Sequence, residues 1–144
     1  MSSTRGPDPD SAIWWYRIAL GDLAAAHMLK GATAPAARGA AVLAQQAAEK
    51  ALKAAIALRG TDPPHTHHLS MLARALAPER LALDDAALRA LHDGFRTGRY
   101  PEPEEPALDP AVVAERLDLA QQVLDVIADH LQANGVDVRG LEAL

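Results

Sequence analysis

The sequence feature that most constrains the fold is a long stretch rich in alanine, from Pro35 to Leu58. Alanine has the highest helix propensity of the amino acids. Proline is common in the first turn of a helix, and glycine, here Gly60, is common just after its end. Most side chains in this stretch are small, so neighbouring helices must approach closely to bury it. The stretch therefore predicts a long helix in a helical bundle.

Four further helices are predicted from capping residues and from apolar residues spaced three or four positions apart. They run from Ser11 to Lys30, from Thr66 or His67 to Pro78, from Asp84 or Asp85 to about Gly98, and from Asp109 and Pro110 to Gly135. The sequence shows no alternating strand pattern and no repeat. We therefore expect an all-α fold, an antiparallel up-and-down four-helix bundle with one extra short helix.

A single domain accounts for the whole chain, because 144 residues are typical of one domain. Residues 1–10 are polar, and we expect a flexible N-terminus there. The helical domain is predicted to cover residues 11–134, followed by a C-terminal tail, residues 135–144, that either frays or docks through Leu141. Proline and glutamate are frequent from Pro101 to Pro110, which predicts an exposed, semi-rigid acidic connection.

Composition excludes several classes of function. The chain has no cysteine, so it has no disulfide, thiolate zinc site or thiol nucleophile, and a reducing compartment is expected. It has neither a signal-peptide core nor a run of about 20 apolar residues, so we expect a cytoplasmic protein that does not enter a membrane. The formal net charge is −5, so any contact with nucleic acid must be local.

The first predicted helix carries apolar residues on two sides. One stripe consists of Tyr16, Leu20, Leu23 and His27, and the other of Trp15, Ala19, Ala26 and Leu29. A lone four-helix bundle covers only one side of such a helix fully, so the second stripe predicts a homodimer. We expect Trp14 or Trp15 to lie in the interface between the subunits.

Three histidines, His65, His67 and His68, lie in and just after a loop that contains two prolines. Imidazoles at this density could bind zinc or nickel, although the paired ligand spacing of helical metal sites is absent. The alternative is a polar helix entry in which one imidazole caps the helix or forms a hydrogen bond across the bundle. No cofactor is predicted, since the sequence contains no glycine-rich nucleotide-binding motif and no G-x-S-x-G motif.

Other polar residues stand out by position. Gln45, Glu49 and Lys53 follow one another at four-residue spacing on a polar face of the alanine-rich helix. Asp22 lies among apolar neighbours, so it either pairs with a buried cation or lines a cleft.

A third group, Arg96, Arg99 and Tyr100, comes at the end of a predicted helix. A guanidinium with a neighbouring aromatic ring can bind phosphate and stack on a base, whereas Tyr100 before Pro101 could equally anchor the chain as it leaves the bundle.

Several of these segments together resemble the HEPN family, over about Ser11 to Leu131. The segments are Trp15, Ala19, Asp22, Leu23 and Ala26, the run from Gln45 to Ala54, the run from Thr66 to Leu69 with Leu72, and the run from Gly98 to Pro101. The resemblance implies an antiparallel four-helix bundle that dimerises through its helices. It also implies a minimal nucleotidyltransferase as a partner, the two behaving as toxin and antitoxin.

Many HEPN proteins are metal-independent ribonucleases, whose arginine and histidine lie a few residues apart near the start of the last helix in both subunits. Arg99 is the plausible match for this arginine, but residues 104–106 are Glu, Glu and Pro, so the histidine is missing. Arg59 and His65 have a matching spacing in the wrong place, between the second and third helices. His67 could replace the missing histidine only if the fold brings it to Arg99.

Three functions follow as alternatives. The first is a dimeric module that partners a nucleotidyltransferase, or binds a nucleotide or RNA, in the cleft between the second helix and the Arg99–Tyr100 turn. Its candidate ligand-binding residues are Asp22, Gln45, Glu49, Lys53, Arg96, Arg99 and Tyr100. The second is a ribonuclease toxin that uses Arg99 with His67 or His65, and the third is a ligand-free structural dimer. We expect the Arg99 side chain to point back over the bundle toward Glu49 or Asp22.

Overall fold

The computed structural model describes residues 5–31, 33–104 and 107–144, without the side chains of residues 97 and 98. Five helices follow one another: α1 (Pro9–Leu29), α2 (Ala34–Leu58), α3 (Leu69–Ala75), α4 (Asp85–Arg99) and α5 (Pro110–Ala133). The described residues contain no strand. The predicted all-α class, with four long helices and one short helix, is therefore confirmed.

Acidic or hydroxyl side chains cap four of these helices, and the caps of α4 and α5 are the ones that the sequence predicts. Asp8, Thr33, Asp84 and Asp109 each accept a hydrogen bond from a backbone N–H in the first turn. α1 begins at Pro9, two residues before the predicted start, because Asp8 rather than Ser11 is its cap. α3 begins later than predicted, at Leu69.

The alanine-rich helix α2 lies at the centre of the fold and contacts all four other helices. Buried residues occupy nearly every turn of it, including the fully buried Ala44, Ala47 and Ala51. Gln45 and Glu49 are also fully buried, and Lys53 is 7% exposed. The three residues predicted to form a polar face of this helix are therefore buried in the bundle.

Helix α1 packs on α2 and α5 and has most of both its apolar stripes covered within one subunit. Tyr16 and Leu23 of one stripe are buried, and so are Ala19 and Ala26 of the other. His27, assigned to the first stripe, is exposed. An uncovered stripe on α1 is therefore not an argument for a dimer.

The segment before α1 packs on the end of α2. The backbone N–H groups of Arg5 and Asp8 donate to the carbonyls of Gly60 and Leu58 at the end of α2. Gly60 has a φ of +78°, and a side chain there would collide with the backbone of residues 5 and 6.

The C-terminal tail docks rather than frays. Val136 and Val138 are buried, Leu141 packs against the core, and the N–H of Leu144 donates to the carbonyl of Arg17 in α1. None of the helices, within the residues described, is long and apolar enough to cross a membrane.

Candidate functional site

A group of charged side chains surrounds the carboxylate of Glu49, which is fully buried on α2. Its Oε2 accepts hydrogen bonds from the ammonium groups of Lys50 and Lys53, each at 3.1 Å. Its Oε1 lies 2.7 Å from Nδ1 of His67, in the segment before α3. We call Glu49, Lys50, Lys53 and His67 the Glu49 cluster.

These contacts determine the charge of Glu49. Burial by itself raises the pKa of a carboxyl group, because the charged form loses its hydration. The hydrogen bonds from His67 and Lys53 and the charge of Lys50 outweigh burial, so the pKa of Glu49 is lowered below its ordinary value. Glu49 is therefore ionised at neutral pH and neutralised by its neighbours.

The indole of Trp15 covers the two lysines from the α1 side. Its ring centroid is 5.9 Å from Nζ of Lys50 and 5.6 Å from Nζ of Lys53, within the range of cation–π attraction. Both ammonium groups therefore have Glu49 and an aromatic face as neighbours. Trp15 is partly buried in this role, whereas the neighbouring Trp14 is 52% exposed.

Helix α2 also fixes the backbone beside the histidine. Nε2 of Gln45 donates to the carbonyl of His67 at 2.8 Å. Both the side chain and the backbone of His67 are therefore held by α2, through Glu49 and Gln45, while the imidazole is still 56% exposed. The sequence does not reveal this pairing, since 18 residues and a proline-rich loop separate Glu49 from His67.

The end of α4 lies against this histidine. The ring of Phe95 is 5.4 Å from the His67 ring, and the guanidinium of Arg99 is 5.5 Å from the same Phe95 ring. The fold therefore places His67 and Arg99 against one aromatic side chain.

Arg99 does not point to Glu49 or Asp22, so that prediction is wrong. The oxygens of Glu49 already have three nitrogen partners, and Arg99 lies exposed at the last residue of α4. Its guanidinium is also 5.6 Å from the ring of Tyr100. No ion pair of Arg99 occurs within the described part of the chain.

Two neighbours complete this exposed region. Tyr100 is 65% exposed, and Arg96, one turn earlier on α4, is exposed as well. We call the exposed Arg96, Arg99 and Tyr100, together with the buried Phe95 that contacts Arg99, the α4-end surface. Glu105 and Pro106 of the acidic connection that follows lie outside the described residues.

Asp22 on α1 is partly buried beside the Glu49 cluster. Burial raises its pKa, Lys50 lowers it, and the charge of Glu49 raises it further, so that the pKa of Asp22 lies above its ordinary value. Asp22 forms no ion pair within 4.0 Å in the described residues.

The three candidate metal-binding histidines have separate surroundings. His67 contacts Glu49, His68 stacks on His92 of α4 at 4.4 Å between ring centroids, and His65 is exposed. Burial and the charge of His68 lower the pKa of His92. Within the described residues no group of three histidine, aspartate or glutamate side chains could hold a metal ion.

Arg59, which has a histidine at the family's spacing, has a structural environment. Its guanidinium donates to the carbonyls of residues 75–77 at the end of α3, and it lies 3.7 Å from Oε1 of Glu79. These contacts join the end of α2 to the end of α3. The Arg59–His65 spacing therefore does not describe a site.

Comparisons with known proteins agree with this architecture. The family model described as HEPN domain matches residues 12–131. The crystal structure of the protein TT1696 from Thermus thermophilus is similar to this chain, with a TM-score of 0.69 and 29% sequence identity. The likeness covers 83% of this chain and 98% of that one. A comparison with curated protein sequences gave no match.

Proposed function

Since the chain belongs to the HEPN domain family, we propose that it is a module that binds a nucleotide or single-stranded RNA through the α4-end surface. One observation carries the proposal. The exposed guanidinium of Arg99 lies close to the rings of both Phe95 and Tyr100. It forms no ion pair within the described residues.

Such a guanidinium suits a phosphate group. Charge-assisted hydrogen bonds from arginine to phosphate are about twice as strong as neutral ones and are often bidentate. An arginine engaged with a carboxylate would have to give up that bond first, whereas Arg99 has no such bond to another described residue. The exposed ring of Tyr100 offers a face on which a base can stack, a contact worth roughly 1–3 kcal/mol.

Two exposed arginines supply the positive charge for an anion in a chain with a negative net charge. Glu49, the buried carboxylate beside His67, is already neutralised by the ammonium groups of Lys50 and Lys53. Arg96 and Arg99 add two positive charges, and Glu102 and Glu104 follow in the connection. With two phosphate contacts, the slope of log affinity against log salt should be roughly −1.4 for a single strand.

The test is fluorescence anisotropy with a labelled RNA of about ten nucleotides, a length within the usual range for single-strand sites. Arg99→Ala and Tyr100→Ala should each weaken binding about tenfold, since each removes a contact worth roughly 1.4 kcal/mol or more. Arg139→Ala is the matched control, because Arg139 is exposed but paired with Asp137 in the C-terminal tail. Equal binding by the wild type, Arg99→Ala and Arg139→Ala would contradict the proposal.

A homodimer, and a minimal nucleotidyltransferase as a second partner, belong to the same proposal and rest on the family. Trp14 is the candidate interface residue, because half of its indole is exposed on α1 beside the ring of Trp15. Trp14→Glu should then convert a dimer to a monomer in light scattering at micromolar concentration. A wild type that is monomeric at that concentration would contradict the dimer.

Ribonuclease activity is the second candidate, and the pairing of His67 with Glu49 favours it. A buried carboxylate at 2.7 Å from Nδ1 orients the imidazole, whose other nitrogen could carry a proton to or from RNA. Arg99, against the same Phe95 ring, could bind the phosphate.

RNA cleavage in the presence of EDTA tests this second function. His67→Ala should abolish cleavage, while His65→Ala, a change at an exposed histidine outside the cluster, should not. If the wild type binds RNA without cleaving it, the ribonuclease function is contradicted and only the binding function is retained.

A further inference from the structure

A second concave site lies away from the α4-end surface, between α3, the following loop and the start of α4. It is a cavity of about 360 Å³, within the usual size of small-molecule pockets. It shares no lining residue with the Glu49 cluster or the α4-end surface. Its apolar wall consists of Leu76, Leu81, Leu83 and Leu88.

The rim of this cavity carries charges of both signs. Glu79 is engaged: its Oε1 lies 3.7 Å from Arg59, and its Oε2 lies 3.1 Å from Nε2 of His130 on α5. Asp85 lies 3.6 Å from Arg89, one turn along α4. Both carboxylates at the rim therefore have cationic partners outside the cavity.

The two arginines at the rim have no such partners. Arg74 at the end of α3 and Arg80 in the loop are exposed, and neither forms an ion pair within the described ranges. Among the described residues, two guanidiniums without an ion pair therefore line the same cavity as the leucine wall, in a chain whose formal net charge is −5. The polar contribution of the rim is completed by the partly buried Ser70.

We propose that this cavity binds a small organic anion with an apolar body, in which Arg74 and Arg80 hold the anionic group and the leucine wall covers the body. Arginine recognises planar carboxylate groups through paired N–H donors. The apolar body gains free energy by leaving water against Leu81 and Leu83. An anion without an apolar body, or an apolar molecule without charge, satisfies only half of the site.

Octanoate is the probe, with isothermal titration calorimetry on the full chain as the measurement. Acetate keeps the carboxylate without the chain, and octanamide keeps the chain without the charge. We expect saturable octanoate binding with a dissociation constant of about 1 mM or lower, and binding at least about tenfold weaker for each of the two controls. Equal affinity for octanoate and octanamide, or no saturation by octanoate, would overturn the proposal.

Variants locate the site. Arg74→Ala with Arg80→Ala should weaken octanoate binding at least about tenfold, because the anion then loses its paired donors. Both residues are exposed, so melting curves should show a folded double variant. Arg139→Ala serves as the control on the same chain, and Arg99→Ala should leave octanoate binding unchanged. Undiminished binding by the folded double variant would show that the anion binds elsewhere and would refute the site.

Discussion

Arg59 and Arg99 both lie at the end of a long helix, and their surroundings are opposite. The guanidinium of Arg59 donates to three backbone carbonyls at the end of α3 and lies near Glu79. The guanidinium of Arg99 lies near two aromatic rings, exposed, and without an ion pair in the described residues. One arginine has its hydrogen-bonding capacity used within the fold, and the other has it available.

This difference separates a structural role from a binding role. Removing Arg59 leaves carbonyl oxygens without their donors, which lowers stability. Removing Arg99 leaves no polar group stranded, so its effect should appear when a ligand binds. Spacing to a histidine does not make this distinction, because Arg59 has a histidine at the family's spacing and Arg99 has none.

The largest loss of stability is expected for Glu49→Ala, the first variant of a test of whether Arg99 is independent of the buried carboxylate. Lys53 then lies nearly buried without its counter-ion, and breaking a buried pair typically costs about 3–5 kcal/mol. We expect a loss of that size in the free energy of unfolding measured with urea. Glu115→Ala, a change at an exposed glutamate of α5, should cost little.

A double-mutant cycle sharpens this result. The cycle of Glu49→Ala with Arg99→Ala should show coupling near zero, because the two groups share no bond. A coupling energy above about 1 kcal/mol would mean that Arg99 does pair with Glu49 and would remove the contrast with Arg59.

The next largest effect is expected for Arg59→Ala. The variant loses several charge-assisted hydrogen bonds to residues 75–77, so we expect a loss of about 2–3 kcal/mol in unfolding free energy. Binding of RNA should be unchanged. A variant as stable as the wild type would show that the contacts of Arg59 contribute nothing to the fold.

Low pH should reduce the stability of the wild type, because Glu49 becomes protonated. Its pKa is lower in the folded state, so its stabilising contribution is complete above the ordinary carboxyl value of about 4.3 and is lost as pH falls through the folded value. Asp22 contributes to the pH dependence of stability with the opposite sign, because its raised pKa favours the protonated form in the folded state. Urea midpoints measured from neutral pH downward should therefore fall less steeply for Glu49→Gln than for the wild type. Parallel profiles would contradict this role of Glu49.

The smallest effect on stability is expected for Arg99→Ala. An exposed side chain without an ion pair should change the unfolding free energy by less than about 0.5 kcal/mol. Thermal melting measures this change beside Arg59→Ala in the same buffer. A loss for Arg99→Ala as large as that for Arg59→Ala would make both arginines structural.

The helices were predictable because their signals are local. Caps such as Asp84 and Asp109, and the alanine-rich stretch of α2, depend on neighbours within a few residues. The central position of α2 is harder to predict from the sequence, because the burial of Gln45 and Glu49 depends on how many helices surround them.

Several side chains that meet around Glu49 and at the end of α4 stand out in the sequence, but most of their pairings do not. Glu49, His67 and Arg99 were all candidates, yet the contact of Glu49 with His67 depends on the course of the loop between α2 and α3. The cation–π contacts of Trp15 with the lysines likewise depend on the packing of α1 on α2. A sequence pattern of small residues specifies close packing and gives no information on which polar side chains meet.

An NMR titration of the isotope-labelled wild type with the same short RNA tests the central claim most directly, because it locates the bound strand. We predict that the largest shift changes fall on the amides of Phe95, Arg99 and Tyr100 and on the ring signals of His67, with those around Arg59 unchanged. Shift changes centred on Arg59 and the end of α3, or no changes at saturating RNA, would contradict the assignment of binding to the α4-end surface.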